Sequence, residues 1–327
     1  MSQVLPTPPQ ELPPVAEPGF ETIQLSEKPE SPWRSAVRRF RQNPLAMAAL
    51  AFVLLEVVVA ILAPWISPYD PAKPDLTAIM QPPSLQHWFG TDDLGRDIFS
   101  RVLNAGRVSL LIGFTVAAGS VFIGSLLGGI AGYFGGWIDT VLMRFVDVML
   151  SFPALFLNIL VLAIFGTKFQ YLILVLVFTS WMGVARLVRG EFLQLREMQY
   201  VEAARAIGVS SWKIMFSHLI RNAVAPIIVN ATLMVGGAIL SESGLSFLGL
   251  GVQPPQTSWG QMLNDAQNFM LTEPWMAVFP GLAIFLTVLA VNFVGDGIRD
   301  AMDPRQKARV PKGRIEAWRA RYSKSKA

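Results

Sequence analysis

Few residues in this chain have types and spacings that could do chemistry, and each has a plain reading beside the sharp one. Asp92, Asp93 and Asp97 place three carboxylates within six positions, the donor type that hard cations prefer. Arg96 lies among them and the spacing is not that of a calcium loop, so a capped, salt-bridged helix start is the better reading, with Thr91 or Asp92 as cap and the helix beginning near Asp93. The two histidines, His87 and His218, lie far apart, and with no cysteine in the chain neither disulfides nor thiolate metal sites can form. No Gly-x4-Gly-Lys-Ser/Thr run is present, which excludes nucleotide binding through a P-loop, and nothing supports a Ser-His-Asp set. Ionisable residues stand inside apolar runs, among them Glu56, Arg144, Asp147 and Glu242. An intramembrane carboxylate is a functional candidate by default, and a hydrogen-bonded packing residue is the alternative for both Glu56 and Glu242. Arg144 and Asp147 are three apart and can pair on one helix face. The last candidate is a polar island, Tyr200 to Lys213, flanked by apolar runs on both sides and suited to docking a soluble partner.

The elements that must position these residues follow from composition. Hydrophobic residues make up 52% of the 327 residues, charged residues 15%, and mean hydropathy is +0.44. A soluble domain carries more charge than that. Six apolar blocks have or approach the length of a bilayer crossing: 45–66, 108–132, 139–165, 171–188, 226–248 and 275–295. Helices are the natural reading, because an open strand edge cannot be satisfied in lipid, so the expected fold class is an all-α membrane protein with six transmembrane helices. Roughly 21 of the 27 Lys and Arg fall in the N-terminal segment, the loop after the fourth block and the C-terminal tail. The positive-inside rule then puts both termini and that loop in the cytoplasm, and it accounts for the net charge of +4 without nucleic-acid binding. No cleavable signal sequence is visible at the start, so the first span is expected to serve as an uncleaved insertion signal.

The expected organisation is a disordered tail over 1–31, an amphipathic interfacial helix over 32–43 facing lipid headgroups, a six-span domain over 44–305 and a basic cytoplasmic tail over 306–327. Within the domain lie an external segment at 67–107, a cytoplasmic loop at 189–225 and an external loop at 249–274, where Trp259, with Trp275 just beyond, suits the membrane interface. Residues 191–207 favour a continuous helix, Gly208 can take the left-handed conformation that ends it, and Ser210 or Ser211 can cap the next. Trp212, Met215, Phe216 and Leu219 then share a face. Gly124, Gly128 and Gly132 recur every four residues, which allows close helix approach, either within the chain or to a partner.

Three runs in order resemble one family. Glu202-Ala203-Ala204 with Gly208 resembles the Glu-Ala-Ala loop of permease subunits of binding-protein-dependent ABC importers; Arg221 stands where that family usually has proline. Gly90-Thr91-Asp92 through Arg101, and Glu242 with Leu245 to Gly251, are similar to the peptide and nickel importer group, as is Gly295 to Arg305. The resemblance covers about residues 32–305. It implies a type I permease fold with a cytoplasmic coupling-helix protrusion and a bacterial inner-membrane location. It implies no cofactor in this chain, with ATP and Mg bound in two partner ATPase subunits. A second homologous permease and an external solute-binding protein complete the expected partners. The residues expected to dock the ATPase are Glu202, Ala203, Ala204, Gly208 and Trp212; Glu242 and Glu56 are path or gate candidates, and Gly124, Gly128 and Gly132 are candidates for permease–permease packing. Di- or oligopeptides are the expected substrates, with nickel, glutathione and other small solutes open. Two other classes compete: a secondary carrier or channel without ATPase partners, which should show inverted repeats and broken helices, and a membrane-embedded enzyme, which should cluster catalytic polar residues at one depth.

Overall fold

The chain begins each of its first two helices with a proline at the first helical position, where the missing N–H costs nothing. The computed structural model describes residues 31–303, so the expectations for 1–30 and 306–327 lie outside the described residues. Helix α1 (Pro32–Gln42) turns at Asn43, whose side chain accepts from the Ala46 N–H, into α2 (Pro44–Ile66). There follow α3 (Ile98–Phe134), α4 (Gly136–Leu150), α5 (Ala154–Phe165), α6 (Phe169–Leu195), α7 (Gln199–Ala206), α8 (Ser211–Lys213), α9 (Ile220–Phe247), α10 (Trp259–Asp265) and α11 (Trp275–Met302). A π-helical turn, Ile214–Leu219, joins α8 to α9. No strand occurs among the described residues.

Five of these helices, counting α8 through α9 as one, are long and apolar enough to cross a membrane, and α4 with α5 makes a sixth if the bent pair is one span. That pair corrects the expectation of an unbroken helix over 139–165. The chain bends by 85° at Ser151–Pro153. Pro153 has no N–H to continue the ladder, and its ring would collide with the carbonyl one turn back.

The long helices pack around α3. Its glycine stripe lies against α6 of the same chain: a Cβ on Gly124 would sit 2.5 Å from Val184 Cβ, and one on Gly132 would sit 2.7 Å from Phe192 Cβ. Gly128 meets the Ala185 backbone in the same way. The stripe is therefore filled from within, the intrachain alternative of the two the sequence left open, and not by a partner permease. Helix spacing alone could not say which helix would fill it. On the other side α3 meets α9, α10 and α11 through Ile98, Leu110, Ile239, Trp259, Met276 and Ile284.

Two ends of the bundle differ. At one end the 67–97 segment folds over the start of α3. Asp97, rather than Thr91 or Asp92, caps that helix, its carboxylate accepting from the Ser100 N–H at 2.8 Å and meeting His87 Nδ1 at 2.9 Å. Asp92 instead closes its own loop by accepting from the Leu94 and Arg96 N–H groups, both at 2.9 Å. Its other oxygen binds Arg96 Nε at 2.7 Å and Arg101 Nη1, while Arg101 Nη2 reaches Asp265 at 2.9 Å. Asp92 and Arg101 are 2% and 3% exposed, so this is a buried clamp between the 67–97 loop, α3 and α10. Among the described residues no cluster suited to a metal forms: Asp92 is taken by Arg96 and Arg101, and Asp97 by His87 and the Ser100 N–H. Asp93, beside the clamp, has its carboxyl raised above the ordinary range by burial and by the neighbouring Asp92.

Trp259 is buried, which corrects its placement at the membrane interface. Its indole N–H donates to the Val102 carbonyl at 3.0 Å and its ring covers Gly106. At the opposite end, α1 is held against the end of α11. Phe40 lies over Gly297, and Arg39 Nη1 donates to the Asp303 carbonyl at 3.0 Å.

Glu242 is fully buried near the end of α9. Its Oε1 accepts from Ser246 Oγ at 2.5 Å and from Ser258 Oγ at 2.6 Å, and those hydroxyls accept in turn from the Val252 and Gln261 N–H groups. The residue ties α9 to the following loop and to the cap of α10. With no exposed atom, it takes the hydrogen-bonded alternative of the two readings the sequence left open. Glu242→Ala is expected to leave two buried hydroxyls without an acceptor and to destabilise the protein by about 2–3 kcal/mol. Glu242→Gln, which keeps an acceptor, should cost less. Thermal unfolding of the purified variants measures both; equal stability for Glu242→Ala and wild type would remove the structural role.

Glu56 sits on α2 facing α11, where Oε1 accepts from Thr287 Oγ1 at 2.8 Å. Asp147 does not pair with Arg144. It pairs with Arg186 on α6 at 2.5 Å, because the neighbouring helix brings a guanidinium closer than the next turn of its own helix does.

Candidate functional site

The polar island becomes a protrusion at the end of the bundle opposite the buried clamp. Helix α6 stops at Leu195. Arg196 turns back to donate from Nη1 to the Gly132 carbonyl at 3.1 Å, which fixes the exit of α6 against the end of α3. The expected continuous helix over 191–207 is therefore two helices, broken at Arg196–Met198, with Met198 extended as the cap of α7.

Helix α7 ends in a Schellman arrangement. Gly208 has φ +81°, its N–H donates to the Arg205 carbonyl at 3.0 Å, and the Val209 N–H donates to the Ala204 carbonyl at 3.0 Å. A Cβ on Gly208 would meet nothing within 4 Å, so the backbone angle alone demands glycine here. Ser210 occupies the cap position of α8, although its hydroxyl makes no capping bond.

The inner face of the protrusion is a wedge. Val201 and Ala204 of α7, with Ile214, Met215 and Leu219 of the π-turn, are buried against Tyr133, Val188 and Phe192. The outer face is uncovered. Glu202, Ala203 and Gly208 are exposed, Ile207 is 81% exposed and Trp212 is 54% exposed. Trp212 stacks on Phe216 at 6.0 Å and meets Phe134 edge-on at 5.8 Å, and Arg205 lies 5.3 Å over the Tyr133 ring.

The structure thus divides the sequence candidates. Glu202, Ala203, Gly208 and Trp212 share an exposed surface, while Ala204 belongs to the wedge. Met215 and Leu219 part from Trp212 and Phe216, because the wider π-turn rotates successive residues by less than an α-helix does. Ile207 and Phe134 join the exposed surface and were not singled out from the sequence; a large apolar residue beside a helix-ending glycine was the available signal for Ile207. Rigidly seated on one face and open on the other, with one carboxylate among apolar side chains, the protrusion is built to be gripped.

Compared with known proteins, residues 124–308 match the family described as binding-protein-dependent transport system inner membrane component. Residues 31–83 match the N-terminal TM domain of oligopeptide transport permease C. The dipeptide transport system permease protein DppC of Alkalihalophilus pseudofirmus is 43% identical over 278 residues, covering 85% of this chain and 91% of that protein. Glutathione transport system permease proteins GsiD are 45% identical over 280 residues in Pectobacterium atrosepticum and 48% identical over 279 in Escherichia coli, covering 85% of this chain and 93% and 92% of those proteins. A chain of the inward-facing MetNI methionine ABC transporter overlaps 59% of this chain and 94% of its own length at 20% identity and a TM-score of 0.46, too loose to carry an argument.

Proposed function

This chain belongs to the family of inner membrane components of binding-protein-dependent transport systems, and from that premise we propose that it is the peptide-conducting half of an ATP-driven importer whose protrusion docks an ATPase subunit. The family location is the bacterial inner membrane, and its members work with ATPase and substrate-binding partners in general. The finer composition proposed here is one homologous permease, two ATPases and one external binding protein.

The observation that carries the docking role is the two-faced protrusion. Its inner face is anchored by buried Val201, Ala204 and Met215, and its outer face leaves Glu202, Ala203, Ile207 and Trp212 uncovered at one end of the bundle. A rigid wedge of this kind transmits displacement. When nucleotide closes the ATPases, the wedge moves and the ends of α3, α6 and α9 move with it. The free energy for alternating access then comes from nucleotide, which favours different states of the ATPase pair. ATP and Mg belong to those partners, and this chain is the non-catalytic member.

Orientation follows from the Lys and Arg asymmetry: both termini and the protrusion inside, the 67–97 and 249–274 segments outside. On this cysteine-free chain, single cysteines at positions 209 and 257 are expected to react oppositely with an impermeant thiol reagent on intact cells. Position 257 should label and position 209 should not; the reverse would overturn the orientation.

The relatives named for dipeptide and glutathione transport support peptides as the substrate class. Cells carrying the transporter should take up labelled dipeptide or glutathione, and deletion of this gene should abolish that uptake. Unchanged peptide uptake, with loss of another solute, would reject the assignment.

A further inference from the structure

A cavity of about 750 Å³ opens at the clamp end of the bundle, between α2, α3 and the loop at 255–257. That volume lies in the range of small-molecule sites. Its polar lining is one-sided. Arg101, Asn104 and Arg107 of α3 and Gln256 and Thr257 of the loop contribute, and no carboxylate lines it. The three α3 residues follow at three-residue intervals, so they fan over about a third of the helix circumference.

Arg107 is the central observation. It lies within an apolar helix long enough to span, and it makes no hydrogen bond or ion pair among the described residues. Arg107 is exposed and stands one residue before the apolar run 108–132, so its unpaired guanidinium lies at the mouth of the span, where it faces water or a ligand. Arg101 commits both Nη atoms to Asp92 and Asp265, yet its buried Nε–H has no partner. Asn104 is oriented by donating to Ser67 Oγ at 2.7 Å and to the Ser100 carbonyl at 2.9 Å. The cavity therefore offers one guanidinium with uncommitted N–H donors, Arg107, above apolar walls that include Trp65 and Phe114. A guanidinium fork matches a carboxylate in both charge and geometry.

We infer that this cavity is an anion subsite on the translocation route, in which Arg107 receives the terminal carboxylate of a passing peptide. The inference rests on the peptide reading above. The apolar walls would accept varied side chains while the carboxylate, common to all peptides, is held at Arg107.

The test uses Thr257→Cys on this cysteine-free chain, in the full transporter reconstituted in phosphatidylcholine nanodiscs. Its rates with anionic sulfonatoethyl and cationic trimethylammonioethyl methanethiosulfonate are compared. A basic cavity should raise the anionic rate over the cationic one by about tenfold. Arg107→Gln should bring the ratio near unity and Arg107→Lys should largely restore it, which separates loss of charge from loss of fold. Millimolar dialanine should slow the anionic reaction in the wild-type background, and dialaninamide should not.

Equal rates for the two reagents would overturn the proposal, as would equal protection by dialanine and its amide. So would complete inertness of the thiol introduced at position 257, which would mean a partner covers the cavity. Protection by phosphatidylglycerol nanodiscs but not by dialanine would assign the site to a lipid headgroup and overturn it too. Dipeptide uptake by the same preparation separates the two levels. Uptake without carboxylate-dependent protection defeats the subsite alone, whereas absence of all peptide uptake defeats the peptide reading and the subsite with it.

Discussion

Gly208→Val is expected to leave this chain inserted and packed but to cut ATP-driven uptake by about tenfold or more, in the range of ordinary coupling free energies. Gly208 stands at φ +81° with open space around its missing Cβ, so valine meets no collision. What it meets is a backbone angle that a β-branched residue resists by about 1–2 kcal/mol. Relief requires the turn to reopen, which breaks the Gly208 and Val209 bonds to the end of α7 and redirects α8 with Trp212. The wedge residues Val201 and Ala204 remain anchored, so the damage stays at the exposed tip. Gly208→Asn, which tolerates left-handed geometry better, should be milder. Glu202→Lys probes the same surface through charge: Glu202 is exposed and makes no contact that folding needs, so its reversal should spare expression and weaken recovery of the ATPases. Co-purification of the ATPases alongside uptake into reconstituted vesicles checks both. Normal recovery and normal uptake in both variants would remove the role assigned to the protrusion.

Arg101→Ala is expected to destabilise the protein by about 3–5 kcal/mol, because it removes a buried guanidinium paired with the buried Asp92 and bridging it to Asp265. Asp92 would keep Arg96 and two backbone donors, but the bond between the loop, α3 and α10 would be gone. Arg101→Lys should recover only part of the loss, since one ammonium cannot reach Asp92 and Asp265 with a fork. Thermal unfolding in nanodiscs, with protease sensitivity of the 67–97 segment, reads the effect. An unchanged midpoint for Arg101→Ala would show that the clamp contributes nothing.

What was legible in the sequence was local. The apolar runs located the long helices, because one run of side chains suffices to define a crossing. Gly208 announced its turn, because only the residue's own backbone decides it. What was illegible depended on partners distant in the chain. Glu242 shows no charged neighbour in sequence, and beside Ser246 on its own helix its second partner, Ser258, arrives from the following loop. The glycine stripe announced close packing but not that α6 would supply it. Asp147 had a cation one turn away and took Arg186 across the helix pair instead. Trp259 looked interfacial because amphipathic rings often are, yet the Val102 carbonyl and Gly106 offered it a buried slot. The exposed half of the protrusion was legible as a polar island. Its buried half was not, because the π-turn alters the helical phase after Lys213.

The central claim is that the α7 tip is the contact with the ATPase. A cysteine at Ala203 or Ile207, both exposed, can carry a benzophenone label in the assembled transporter. Irradiation is predicted to join this chain to an ATPase subunit from either position and not from position 257. Adducts to an ATPase subunit from position 257, with none from 203 or 207, would contradict the account.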